Sequence, residues 1–141
     1  MDHLEVLKSI FLLVMKFSKF LPPIEEFSDM RSSEIYSFLY VALFGPRKMK
    51  DISEFLSTTK SNVTVVVDAL ETRGLVRREH DTTDRRTYQV VLTERGRELF
   101  EKVKESFGRL MDSVMEKLSP EDRAVIGEGF KRMVEVLLRE G

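Results

Sequence analysis

Apolar residues Leu4, Leu7, Phe11, Val14 and Leu21 recur with helical spacing, which predicts an amphipathic first helix ended by Pro22-Pro23. After the polar stretch Glu25 to Arg31, Ser32 or Ser33 is placed to cap a second helix. That helix carries Ile35, Phe38, Leu39 and Ala42 on one face and is closed by Gly45-Pro46. A short third helix, from about Lys50 to Leu56, is expected to bury Ile52, Phe55 and Leu56.

The segment from Ser57 to Gly74 sets propensity against periodicity. The β-branched run Val63 to Val67 favours a strand by composition. Yet Val63, Val66, Val67 and Leu70 fall at i, i+3, i+4 and i+7, Thr59 can cap the start, and Gly74 can take the left-handed conformation at the end. Periodicity decides for a helix. Two strand-like runs follow, Leu75 to Glu79 and Thr87 to Leu92, joined by the charged segment His80 to Arg86. In the second run Tyr88, Val90 and Leu92 alternate with Thr87, Gln89 and Val91, so the pair predicts a hairpin. Thr93 then caps a long helix with the stripe Leu99, Val103, Phe107, Leu110, Val114 and Leu118. Ser119-Pro120-Glu121-Asp122 starts a last helix, expected to bury Ile126, Phe130, Met133, Val134, Leu137 and Leu138.

The fold class is therefore mainly α with a small β-hairpin. Short helix, tight turn, helix and hairpin make a winged helix-turn-helix, in which the second helix of the pair enters a DNA major groove. With Val63, Val66, Val67 and Leu70 inward, Ser61, Val65, Asp68 and Thr72 lie opposite, and Lys60, Asn62, Thr64 and Ala69 stand at the margins. Small polar side chains there can meet base edges and phosphates, Val65 can meet a thymine methyl group, and Lys60 a phosphate. At the hairpin tip Arg85 and Arg86, backed by Arg77 and Arg78, suit phosphates or a narrow minor groove.

Charge refines this picture. The net charge of −1 is unlike the basic balance usual for a nucleic-acid binder, but its distribution is uneven. Residues 1–45 carry four Lys/Arg against six Asp/Glu, residues 46–100 eleven against nine, and residues 101–141 eight against nine, so positive charge collects in the middle.

The string Leu70-Glu71-Thr72-Arg73-Gly74-Leu75-Val76-Arg77-Arg78, then Asp84-Arg85-Arg86, then Val91-Leu92-Thr93-Glu94-Arg95-Gly96, resembles the signature of MarR-type regulators. Helix number and order match as well, so the resemblance covers essentially the whole chain. It implies an obligate homodimer of triangular outline, with residues 1–30 and 97–141 forming the dimerisation helices and residues 31–96 the DNA-binding region of one compact unit. Carried over residue by residue, it makes Lys60, Ser61, Asn62, Thr64 and Val65 the major-groove readers and assigns Arg86, with Arg85, to the minor groove. It also implies a salt-bridge network of Asp68, Arg78, Asp84 and Arg86 that ties wing to recognition helix. Many members carry a basic residue where this chain has Val65, which points to a smaller share for direct base readout. The resemblance further implies repression relieved by a small effector, commonly a phenolic or other aromatic acid, bound between dimer and DNA-binding regions. Phe11, Tyr36, Phe38 and Tyr40 supply aromatic surface for such a cleft.

Dimerisation has a physical argument of its own. The outer helices each bear an apolar stripe, and a thin helical pair cannot cover both, so a second copy is the natural cover. A twofold dimer reads a pseudo-palindrome with half-sites roughly 10 base pairs apart.

Other functions find less support. Without cysteine there is no thiolate nucleophile, thiol sensor or Cys-ligated zinc. His3 and His80, the two histidines, are far apart in the chain, so no metal site is expected. No Ser/His/Asp constellation or glycine-rich phosphate loop suggests an enzyme or a cofactor. The start Met1-Asp2-His3-Leu4-Glu5 lacks the basic residues of a secretory leader and the apolar run Ile10 to Met15 is too short for a membrane span, so a cytoplasmic protein is expected. The alternative that stays open is a winged helix used for protein association, favoured by the near-neutral charge.

Overall fold

The structure, a computed structural model, describes residues 2–20 and 24–140, with the side chains of Lys19 and Phe20 left aside. Leu21 and the predicted helix stop at Pro22-Pro23 lie outside the described residues. Two compact units are present, one ending at Lys104 and the other beginning at Glu105.

In the first unit, α1 (His3–Phe20) starts where the Asp2 carboxylate accepts the Glu5 N–H at 2.9 Å. Its residues Leu4, Leu7, Ile10, Phe11, Leu12, Leu13, Val14 and Met15 are all exposed in the single chain. The supposedly polar stretch that follows is anchored by buried Ile24, Phe27 and Met30 around a 3-10 turn at Glu25–Phe27. Next comes α2 (Ser32–Phe44), whose N-cap is Arg31 rather than Ser32 or Ser33. Its start is closed by the Glu34 carboxylate, which accepts the Arg31 N–H at 2.9 Å. Gly45, at φ +88, turns the chain out of the helix.

A short strand the sequence did not announce, β1 (Arg47–Lys48), precedes α3 (Met49–Leu56). Ile52 is fully buried, but Phe55 is 52% exposed, contrary to expectation. Phe55 instead stacks on Tyr40 at a centroid distance of 4.1 Å, an aromatic contact that gives it a partner outside the core. The helix α4 (Lys60–Thr72) obeys its periodicity: Val63, Val66, Val67 and Leu70 are buried, and the Thr59 hydroxyl accepts the Asn62 N–H at 3.1 Å. Tertiary burial of a helical stripe outweighs the strand propensity of its valines. Gly74, at φ +75, ends the turn into β2 (Val76–His80).

The last strand, β3 (Tyr88–Leu92), lies between the other two, so the sheet is antiparallel with order β1-β3-β2 and the wing is three-stranded. Arg78 faces Val90, which also faces Arg47, and Lys48 faces Gln89. Strict alternation in β3 fails at its end, where Val90 and Val91 are both buried. Thr93 joins sheet to helix: its hydroxyl donates to the Gly74 carbonyl at 2.6 Å and accepts the Gly96 N–H at 3.0 Å. There α5 (Glu94–Met115) begins, with Leu99 and Val103 buried. The core of this unit is centred on Phe38, Ile52, Val63, Val67, Leu70 and Val90.

The second unit holds the end of α5 and α6 (Pro120–Glu140), whose start the Ser119 hydroxyl caps by accepting the Asp122 N–H at 3.1 Å. The predicted burial of its stripe does not occur within one chain. No residue of α6 is buried, and Phe130, Met133, Val134, Leu137 and Leu138 are each at least half exposed. Phe107 and Val114 of α5 are likewise exposed, because a unit of this size has too few partners to cover two apolar faces.

Candidate nucleic-acid interface

Between α3 and α4 the chain makes a three-residue turn in which Ser57 takes a left-handed conformation, φ +53, and the Thr58 N–H donates to the Ser53 carbonyl at 3.0 Å. This sets α4 against α3 with one side on the core and the other in solvent. Lys60, Ser61, Asn62, Thr64 and Val65 are all exposed on that outer side. Their polar atoms are not equally available. The Thr64 hydroxyl donates to the Lys60 carbonyl at 3.0 Å, and the Asn62 amide donates to the Thr58 hydroxyl at 2.9 Å. Among the described residues, Lys60 has no ion-pair partner, and Ser61 and Val65 present the least committed surface of the helix.

The wing tip is built by Asp84 and its neighbours. The Thr87 N–H and hydroxyl both donate to the Asp84 carbonyl, at 3.1 and 3.0 Å. The Asp84 carboxylate accepts the Arg86 N–H at 3.1 Å and the Arg86 Nε–H at 3.2 Å, yet the Arg86 side chain remains 91% exposed. Its outer N–H groups are free to form a planar fork on an anion. Arg85 is exposed and has no ion-pair partner among the described residues, while its carbonyl accepts from His80 Nδ1 at 2.9 Å. Since a carbonyl can only accept, the imidazole carries its proton on Nδ1.

The expected four-residue network takes the form of two separate groups. Arg78 of β2 pairs with Asp68 at 2.7 Å and also with Glu71, both on α4, whereas Arg86 pairs with Asp84 inside the tip. Among the described residues no ion pair joins the two groups. Glu71 is an addition to the expected network; it sits three residues after Asp68, on the side that Arg78 reaches. Arg77 does not reinforce the tip, because Glu79 holds its guanidinium at 2.6 Å. Among the described residues of α4 and the hairpin tip, Lys60 and Arg85 thus have no carboxylate partner and Arg86 keeps its outer edge exposed; Arg47 of β1 also lacks an ion pair, its guanidinium lying 5.3 Å from the Tyr40 ring centroid.

At the base of the tip, Asp81 is buried. The Thr83 N–H and hydroxyl, at 2.9 and 2.8 Å, hold its carboxyl down to about 2 from the ordinary 3.8, with Lys48 adding at 3.3 Å. A depressed value means that the stabilising contribution of this carboxylate is complete at neutral pH and is lost as pH falls from about 4 through about 2. A carbon-detected NMR titration of the Asp81 carboxyl is expected to show its midpoint near 2; a midpoint at the ordinary carboxylate value refutes the assignment.

An apolar-lined cavity of about 450 Å³ lies in the first unit among Ser18, Ile24, Phe27, Ile35, Tyr36 and Leu39. Of the four aromatics expected near a cleft, Tyr36 alone lines it. Phe38 is core and meets Phe27 edge-on at 6.1 Å, Tyr40 stacks on Phe55, and Phe11 is exposed on α1. The segment that walls the cavity is gripped from α4: Arg73 pairs with Asp29 at 3.1 Å and with buried Glu34 at 3.4 Å, and donates to the Asp29 carbonyl at 3.0 Å. Among the described residues no helix is long and apolar enough to cross a membrane, and no group of three or more potential ligands could hold a metal ion.

A helix-turn-helix flanked by a three-stranded wing defines a winged helix-turn-helix protein, and known proteins place it further. The profile of the MarR family matches residues 44–88. The crystal structure of a MarR-like transcriptional regulator from Thermotoga maritima is 64% identical in sequence, with a TM-score of 0.80 and 97% of each chain covered. The uncharacterized HTH-type transcriptional regulator YfiV of Bacillus subtilis (strain 168) is 32% identical over 72% of this chain, and the match spans 64% of YfiV. FabT of Streptococcus pneumoniae, crystallised in complex with DNA, shares the fold at a TM-score of 0.76 and 24% identity, with 97% of this chain and 96% of FabT covered. The chain belongs to the MarR family of transcriptional regulators and is not an enzyme.

Proposed function

We propose that this regulator works as a homodimer on double-stranded DNA, with α4 in the major groove and the wing tip at the minor groove. The carrying observation is that one unit exposes both a reading face, Lys60, Ser61 and Val65, and the guanidinium of Arg86 beside Arg85, which has no ion-pair partner among the described residues. FabT, which shares the fold, is known in complex with DNA, which supports a DNA-binding role. The Thr64 hydroxyl proton is engaged locally, while Asn62 uses one amide N–H on Thr58 and keeps its second N–H and its oxygen for the duplex. Pairing with Arg78 keeps Asp68 from repelling phosphate.

The twofold partner covers the exposed apolar residues of α1 and α6, residues 1–30 and 97–141 acting as dimerisation helices around the reading region 31–96. Two reading heads related by a twofold axis match a pseudo-palindromic site with half-sites roughly 10 base pairs apart. The regulator represses in the cytoplasm and is released by an aromatic acid in the Tyr36 cavity, whose wall Arg73 connects to the end of α4. Such a ligand acts through its differential affinity for DNA-competent and incompetent spacings of the two heads.

Selection of duplexes from a random pool, followed by binding measurements on the recovered site at several salt concentrations, tests this reading. Lys60→Ala and Arg86→Ala are each expected to weaken binding about tenfold and to lower the salt slope by about one. Unchanged affinity and slope in both variants would leave protein association as the better use of this winged helix. Adding phenolic acids to the bound duplex checks the release step.

A further inference from the structure

Besides the β1–β3 ladder and the packing of β3 on α2 and α3, an ion pair joins the base of the wing tip to the start of α3. It begins at Lys48, which is simultaneously the last residue of β1 and the N-cap of α3. Its backbone N–H donates to the Asp51 carboxylate at 3.0 Å, which fixes it to the first turn of α3. Its side chain leaves the edge of the sheet opposite Gln89 and reaches past the central strand to the Asp81 carboxylate at 3.3 Å. Asp81 lies just beyond the end of β2, on the far side of that strand, and its N–H donates to the Thr87 carbonyl at 3.0 Å. The two carboxylate oxygens have separate tasks. Oδ1 accepts from the Thr83 N–H and hydroxyl and shapes the tip, while Oδ2 faces Lys48. Exposure is unequal too: the Asp81 side chain is 11% exposed and that of Lys48 47%.

We propose that Lys48 and Asp81 form a clasp that sets the angle of the wing against the helix-turn-helix, making both positioning residues for the minor-groove contact of Arg85 and Arg86. The tip follows Asp81 within five residues and has no other ion pair to the helix-turn-helix among the described residues. A hairpin tip fixed only at its base sweeps a wide arc, and an arginine in a narrow groove tolerates little displacement. The clasp removes that freedom before DNA arrives, so less ordering is required on binding. This inference rests on the reading of the wing as a DNA contact.

The test measures affinity for the duplex recovered from the random pool, its salt dependence, and thermal unfolding, for Asp81→Asn, Lys48→Met and Lys48→Arg. Each is made both in the native chain and in the Arg85→Ala/Arg86→Ala background. Asp81→Asn and Lys48→Met are each expected to weaken binding about fivefold to tenfold in the native chain and to have no further effect once the tip arginines are gone; the unfolding temperature should change little in Lys48→Met and fall in Asp81→Asn, which gives up the stabilising contribution of the carboxylate. Lys48→Arg is expected to bind as the native protein does. Lys48→Met leaves the Asp81 turn with Thr83 in place, which keeps the test valid should Asp81→Asn fold poorly.

Equal losses in both backgrounds overturn the clasp, because positioning acts only through the residues positioned. So does tighter binding by Asp81→Asn, the result expected if Lys48 were a phosphate contact held back by Asp81. Native binding by the clasp variants alongside weak binding by Arg86→Ala overturns the clasp and leaves the DNA-binding wing standing. Native binding by Arg86→Ala and by the clasp variants removes the wing contact and the clasp with it.

Discussion

Replacing Phe38 with alanine is expected to lower the free energy of unfolding by about 3–5 kcal/mol, the cost of deleting a fully buried aromatic side chain and leaving its cavity. Phe38 has no exposed surface, and it is the largest of the fully buried side chains. It lies on α2 and meets Phe27 edge-on, so its loss opens the core next to the segment that walls the Tyr36 cavity. Urea unfolding at fixed protein concentration measures the effect, concentration being held because association adds to the apparent stability of a dimer. A loss below about 1.5 kcal/mol would mean that the core collapses into the space and is not close-packed there.

The second large effect concerns association. Met133→Asp together with Leu137→Asp places two charges on the exposed apolar side of α6, at positions 52% and 62% exposed in the single chain and one turn apart. A monomeric surface rarely displays so continuous an apolar stripe, and charges buried there upon association have no partner. The variant is expected to sediment as a monomer and to bind the full site at least about a hundredfold more weakly, because the second reading head no longer acts at high effective concentration. Binding to an isolated half-site should be unaffected. A variant that remains dimeric moves the interface away from this side of α6. Monomers that bind the full site with native affinity would show instead that one head carries the recognition.

These effects fall on features of unequal legibility. Helix α4 was readable despite its valines: Val63, Val66, Val67 and Leu70 keep helical spacing, and Thr59 and Gly74 bound the element. The caps at Thr93 and Ser119 were readable for the same reason, since a cap is made by residues three positions apart. Ser32 and Ser33 were misleading. Serine favours the position, but the carboxylate of Glu34 decided where the helix starts by reaching back to Arg31. Phe55 was misplaced because helical spacing specifies a side of α3, and the side it occupies meets Tyr40 at the surface.

The candidate site divides along the same line. Exposure of Lys60, Ser61, Val65, Arg85 and Arg86 follows from element type and periodicity, which are local properties of the chain. Charge pairing does not. Arg77, Arg78 and Arg86 are equivalent in sequence, yet Glu79 holds the first, Asp68 and Glu71 the second and Asp84 the third, and of these three Arg86 is left the most exposed. Two residues, Arg47 and Lys48, carry too little pattern to announce a strand, and their ladder to β3 depends on a partner some forty positions away. The sequence by itself determined the helices, their buried sides and the winged helix-turn-helix order, because spacing and capping act over a few residues. The tertiary structure alone decided the third strand, the choice of partner for each arginine and the link from Lys48 to Asp81, because ion pairs and strand ladders form between residues that only the folded chain brings together.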